Sequence, residues 1–203
     1  MSPAVRLLFG PLGAVILLVG VAGLPALVPG YDAVRQTVSE IGEVGSPMRW
    51  PFAILLCAVA GCLCIFAAGL RDIAARTGRS RWPAWLAVAM AVSVAGVGLF
   101  AFPHPLHNVF GISELIGYQA PLVLALAWRR DPAAGRVVAV STVMALLVLA
   151  AVAVNLAYSF SDAPVWDQVK PVYGLVQRSL FAAWFAWAAL AGAMLAGEAR
   201  RTP

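Results

Sequence analysis

Apolar positions in this chain are gathered into long runs broken by short polar stretches, and the runs have the length of bilayer crossings. A transmembrane helix needs about 20 predominantly apolar residues. Six runs meet that length, at approximately 7–28, 51–70, 83–102, 106–128, 137–158 and 173–196. Within each run the apolar residues are nearly continuous, unlike the one-sided stripe of a helix on a soluble core. Helix-start signals support three boundaries: Ser46-Pro47 before the second run, Pro83 opening the third and Pro171 before the sixth. The connections are short except 29–50 and 159–170. The first run is too long for the apolar segment of a cleaved signal peptide and has little charge ahead of it, so it is expected to remain as a span. The pattern predicts an all-α fold: a single domain, 1–203, forming a polytopic membrane bundle of six transmembrane helices.

Composition agrees with this picture. The 203 residues are 62% hydrophobic and only 11% charged, against roughly 25% charged in an ordinary soluble domain. The net charge of +5 does not point to nucleic acid, because the charges cluster between apolar runs, where they act as topology signals. Ten of the Lys and Arg residues (Arg6, Arg71, Arg76, Arg79, Arg81, Arg129, Arg130, Arg136, Arg200 and Arg201) fall on one side of the predicted bundle, and four (Arg35, Arg49, Lys170 and Arg178) on the other. The positive-inside bias therefore puts both termini in the cytoplasm, and the expected location is the bacterial inner membrane, as a multi-pass protein. Cys57, Cys62 and Cys64 share one apolar run and read as small helix fillers; no disulfide framework follows from them. Trp50, Trp82, Trp85, Trp128 and Trp166 fall near predicted interfaces, where a belt role is the default.

The side opposite the termini carries the chemistry. Asp32, Glu40, Glu43, Glu114, Asp162 and Asp167 lie on or near it, as do both histidines, His104 and His107; only Asp72, Asp131 and Glu198 sit among the cytoplasmic arginines. Glu114 is the only charged side chain within the fourth run. An ionisable group at membrane depth costs a few kcal/mol or more unless it faces a partner or a wet cavity. Helical spacing puts His107, Gly111, Glu114, Tyr118 and Pro121 on one stripe, and Arg178, near the start of the sixth run, is the expected counter-charge. Such a Glu–Arg pair could be purely structural. Alternatively Glu114, with Glu40 and His107, lines a pocket open to the outer leaflet, where a carboxylic acid could serve as general acid. His104-x-x-His107 with a carboxylate has the donor types of a zinc or iron site, but His104 lies between two prolines, so the pair need not share a face and no metal is expected. Ser39 reads first as a turn or helix cap and only then as a nucleophile. No Gly-x-Ser-x-Gly, Walker or His-Glu-x-x-His pattern is present. The spacing of Tyr31, Val34, Val38 and Ile41 would suit a half-helix lying on the membrane.

Three stretches carry a family resemblance: Val38-Ser39-Glu40-Ile41-Gly42 after the first span, Phe102-Pro103 followed by Leu106-His107-Asn108 before the fourth, and Gly174-Leu175-Val176-Gln177-Arg178 opening the sixth. In this order and spacing the chain resembles the prokaryotic six-span membrane family catalogued as domain of unknown function 998. The resemblance implies the six-span fold and points to Ser39, Glu40, His107, Gln177 and Arg178; it implies no reaction.

The leading expectation is an intramembrane enzyme acting on a prenyl or acyl lipid in an outer-leaflet pocket, by protonation-initiated terpenoid cyclisation or by lipid hydrolysis. Glu40, Glu114 and His107 are the expected catalytic groups. Ser39, Tyr118, Asn155, Tyr158, Gln177, Arg178 and Trp184 are the expected substrate-binding residues. The expected partners are membrane lipid and a hydrophobic small molecule, with no nucleic acid and no cofactor. Two other classes fit the same residues: a proton-coupled transporter using Glu, His and Arg as a relay, and an accessory or sensory subunit docking through the loop 31–49.

Overall fold

Six helices are long and apolar enough to cross a membrane: α1 (Pro3–Leu27), α2 (Arg49–Arg76), α3 (Trp82–Leu99), α4 (Pro105–Trp128), α5 (Pro132–Asn155) and α6 (Pro164–Arg200). The structure is a computed structural model that describes residues 1–160 and 162–201, with Tyr158, Phe160 and Arg201 described by their backbone alone. No strand occurs among the described residues. The six predicted runs are thus six spans. α3 stops at Leu99, short of the predicted 102, and Phe100 is already extended. Pro103 and Pro105 follow, and proline disfavours helix in the residue before it. The long connection before the last span is partly ordered as a short helix, Pro164–Val169, and a 3-10 turn, Lys170–Val172, ahead of the regular helix Tyr173–Arg201.

Each span packs on the next, and α6 closes back onto α1, so the bundle is a ring of six. Small residues allow the closure. Pro11 has no N–H to offer the carbonyl of Leu7, and α1 breaks at Leu8. Gly192 of α6 sits against that break; a Cβ on it would meet the Leu7 carbonyl oxygen at 2.5 Å. Such close backbone approach is the usual basis of helix association in lipid, where apolar burial contributes little. The ring is filled by Phe66, Trp184, Phe185 and Trp187, all fully buried. Trp187 meets Phe66 edge-on, and its indole N–H donates to the Ser141 hydroxyl at 2.9 Å.

The end that holds both termini, inner by the charge bias of the sequence, is tied by charge. Arg6 pairs with Asp72 at 2.5 Å, and Arg79 pairs with Asp131 at 2.6 Å. Arg79 also lies over the Trp128 ring, and the Trp128 indole N–H donates to the carbonyl of Ser80 at 3.0 Å. Trp128 is therefore a buried brace for the α2–α3 connection and not a member of an interfacial belt, whereas Trp50, Trp82 and Trp85 are exposed as a belt requires.

α4 is two helical pieces, Pro105–Gly117 and Ala120–Trp128. The cause is Pro121, which has no N–H for the Gly117 carbonyl. The Trp184 indole N–H takes its place, donating to Gly117 at 3.0 Å. Below the break, Ala120–Trp128 packs on α5; above it, Pro105–Gly117 packs on α3.

Two outcomes follow. Trp184→Phe leaves the Gly117 carbonyl without a donor in a buried site and is expected to lower stability by about 1–2 kcal/mol, read by denaturant titration in mixed micelles; an unchanged midpoint would remove the bond from the fold's essential contacts. The Arg79 hydrogen bond, with the Ala133 N–H, holds the Asp131 carboxyl below its ordinary value. A depressed acid contributes stability above its unfolded value of about 4 and loses it as pH falls. Asp131→Asn should thus lower the melting temperature at neutral pH, and the gap to the parent protein should close below about pH 4.

Candidate functional site

The connection between α1 and α2 folds over the outer end of the bundle. Its centre is a 3-10 helix, Val38–Gly42, begun by the sequence Thr37-Val38-Ser39-Glu40, which is a capping box. The Thr37 backbone N–H donates to Glu40 Oε1 at 2.8 Å, its hydroxyl to the same oxygen at 2.9 Å, and Gln36 Nε2 to Glu40 Oε2 at 2.7 Å. Val38 and Ile41 are buried against the bundle. The loop is thus a lid seated by its own apolar side chains, in place of the half-helix on the membrane surface that the spacing would allow.

α6 clasps this lid. Gln177 Oε1 accepts from the Val38 N–H at 2.6 Å. Arg178 Nη1 reaches the carbonyls of Ala33, Gln36 and Gly174 at 2.9, 3.0 and 3.0 Å, and its Nη2 donates to the Tyr31 hydroxyl at 2.7 Å. Tyr31 in turn donates to the Thr37 carbonyl at 2.6 Å. Burial holds the Tyr31 hydroxyl above its ordinary value, against the pull of Arg178. Glycine is needed at 174, because a Cβ there would strike the carbonyls of Gln36 and Ala33.

The start of α4 makes the third contact. His104 caps the helix, its Nδ1 accepting from the Leu106 N–H at 3.1 Å. His107 Nδ1 lies 2.7 Å from the Phe100 carbonyl and its Nε2 lies 2.9 Å from Ser39 Oγ. A carbonyl only accepts, so Nδ1 carries the proton, and in the neutral ring Nε2 accepts from the serine hydroxyl. Two turns further on, Glu114 and Tyr118 face inward on the same stripe and are buried, and the Tyr118 hydroxyl donates to Glu114 Oε2 at 2.9 Å.

Beside the break in α4 a crevice of about 190 Å³ lies between α4, α5 and α6. Glu114, Tyr118, Asn155, Ser159, Tyr173 and Gln177 line it among apolar residues, and Ile112 and Leu115 at its rim are exposed towards the lipid side. Asn155 braces its floor by donating to the carbonyls of Ala151 and Val176 at 2.9 and 3.3 Å. On the other side of Glu114 a small cavity of about 20 Å³ is lined by Ser39, Glu114 and apolar side chains including Phe52 and Phe181.

The expected residues thus divide. Glu114, Tyr118, Asn155 and Gln177 share the crevice. Ser39 and His107 are hydrogen-bonded to each other beside Glu114. The expected Glu114–Arg178 pair does not form: the Arg178 hydrogen bonds go to lid carbonyls, Gly174 and Tyr31, while Glu114 is bonded by Tyr118. Glu40 is a helix cap with both carboxylate oxygens engaged in the lid, which argues against an acid role. Trp184 is a fully buried core residue whose N–H serves Gly117, and it is not part of the crevice lining. The Tyr158 side chain lies outside the described residues. Among the described residues no group of three or more His, Cys, Asp or Glu is placed to hold a metal ion. Phe181 on the crevice wall was not singled out by sequence; a Phe in an apolar run gives no local signal of facing a crevice.

No curated protein and no solved structure matches the chain. A family model does match, over residues 11–194, nearly the whole bundle. The chain therefore belongs to the family described as protein of unknown function, DUF998.

Proposed function

We propose that this protein is an enzyme of the bacterial inner membrane that acts on a prenyl or acyl lipid entering sideways from the outer leaflet, with the Glu114 carboxyl as its acid/base group. The observation that carries this reading is the position of Glu114: a carboxyl at membrane depth, bonded by one tyrosine hydroxyl, on the wall of a crevice whose rim faces lipid. An acid in a site of low polarity is a strong candidate for proton transfer to a bound substrate.

The crevice, at about 190 Å³, is below the roughly 300–1,000 Å³ of a pocket that encloses a whole drug-sized ligand. It suits one end of a long amphiphile whose remainder stays in the bilayer. Three aromatic rings, Tyr118, Tyr173 and Phe181, line it, and aromatic faces stabilise cations. This favours protonation over hydrolysis. The Glu114 proton passes to an alkene or epoxide of the substrate, the cation rearranges against the aromatic walls, and the proton finally lost returns to the Glu114 carboxylate, so no co-reactant is consumed. The Tyr118 hydroxyl stabilises the carboxylate between the two transfers.

The test uses the full chain in proteoliposomes, with an epoxidised linear isoprenoid and a diacyl phospholipid as substrates. Glu114→Gln is expected to cut turnover by about 100-fold or more, and Tyr118→Phe by about tenfold. Glu40→Gln is expected to retain turnover once the folded fraction is matched. Turnover that survives Glu114→Gln would exclude the acid role.

A further inference from the structure

A second crevice lies on the opposite side of Phe181, between α1 and α6. It has a volume of about 330 Å³ and is walled by Leu18, Val21, Pro25, Phe181 and Ala182, with Arg178 at its outer end. Its form is that of an amphiphile: a hydrocarbon slot closed by a guanidinium.

Among the described residues no carboxylate meets the charge at that end, which lies over the Tyr31 ring at 5.7 Å from its centroid. All four hydrogen bonds of Arg178 run to neutral oxygens, three carbonyls and the Tyr31 hydroxyl. Among the described residues it makes no ion pair, and its Nε–H has no protein acceptor. The nearby lid acids are otherwise engaged: Asp32 pairs with Arg35 at 3.6 Å, and Glu40 is held by Thr37 and Gln36. Arg178 sits five residues into the helix Tyr173–Arg201, which is about 8 Å below its start at 1.5 Å per residue. A cation at that depth is costly unless an anion or water reaches it, and a planar guanidinium suits phosphate oxygens in particular.

We propose that this crevice binds an anionic phospholipid of the outer leaflet, its phosphate on Arg178 and one acyl chain along α1 and Ala182. The lipid would sit under the lid that the same guanidinium clasps, so its binding tightens the outer end of the bundle. This site is separate from the Glu114 crevice and does not depend on any reaction there.

The experiment uses the purified full chain in a neutral detergent, with phosphatidylglycerol, phosphatidylcholine and inorganic phosphate as probes. Lipid retention is read by native mass spectrometry and stabilisation by melting temperature. Phosphatidylglycerol is expected to be retained and to raise the melting temperature, and phosphatidylcholine to do neither. Arg178→Gln should abolish the difference, but this change also loosens the lid. Ala182→Phe fills the slot while leaving every Arg178 hydrogen bond in place, and it is expected to weaken phosphatidylglycerol retention by tenfold or more. Undiminished retention in Ala182→Phe, equal retention of the zwitterionic lipid, or the same stabilisation by inorganic phosphate alone would each overturn the proposal. None of these outcomes bears on the role of Glu114.

Discussion

Hydrocarbon offers no partner to a backbone N–H or C=O, so every such group at membrane depth must be met from within the protein. The regular helices meet this demand by themselves. Two departures beyond the α1 break, the kink at Pro121 and the irregular lid over the outer end, are met by side chains of one helix. Along α6, Gln177 serves the Val38 N–H, Arg178 the carbonyls of Ala33 and Gln36, and Trp184 the carbonyl of Gly117. α6 is therefore the element on which both the lid and the kink are built, and the crevices flank it because the departures flank it.

This constraint separates the polar side chains of the outer half into two kinds. Glu40, Gln177 and Arg178 are bonded chiefly to the lid, Glu40 to Thr37 and Gln36 and the other two to its backbone, and they explain themselves as architecture. His107 is intermediate, with one ring nitrogen on the Phe100 carbonyl and the other on a serine hydroxyl. Glu114 is different in kind. Its carboxyl is met by a side chain, Tyr118, and no backbone group depends on it. A buried acid that serves no backbone donor among the described residues is harder to account for by stability, since removing a buried polar pair altogether is often neutral or stabilising.

The legibility of the chain from its sequence follows the range of the interactions. Span number depends on local composition and was readable; the ion pairs Arg6–Asp72 and Arg79–Asp131 gather at one end of the bundle residues that the charge count puts on one side. The stripe of His107, Glu114 and Tyr118 depends on helical periodicity and was also readable. The cap role of Glu40 has a local signal that was not read: Thr37-Val38-Ser39-Glu40 is a capping-box pattern, and the lid uses it as one. The counter-charge assigned to Arg178 failed for a different reason. Whether an arginine meets a carboxylate or a row of carbonyls is decided by where a loop without periodicity comes to rest, and here Gly174 lets that loop approach α6 closely enough to claim the guanidinium. The partner of Trp184 was likewise hidden, because a proline announces a freed carbonyl but not the side chain that will reach it.

The vertical distribution of the openings bears on which class of activity suits the bundle. Both crevices beside Phe181 lie in the outer half, and each is flanked by exposed apolar residues of α1 or α4. Further along α6 towards the inner end, Trp184 meets Phe185 edge-on at 5.0 Å and Trp187 at a tilt at 5.5 Å, and Trp187 meets Phe66 across the ring. A transported solute would have to pass that fully buried aromatic layer, in a medium packed as densely as a protein core. A lipid that enters and leaves through the outer leaflet never meets it. The arrangement thus favours chemistry or binding on one leaflet over passage between two.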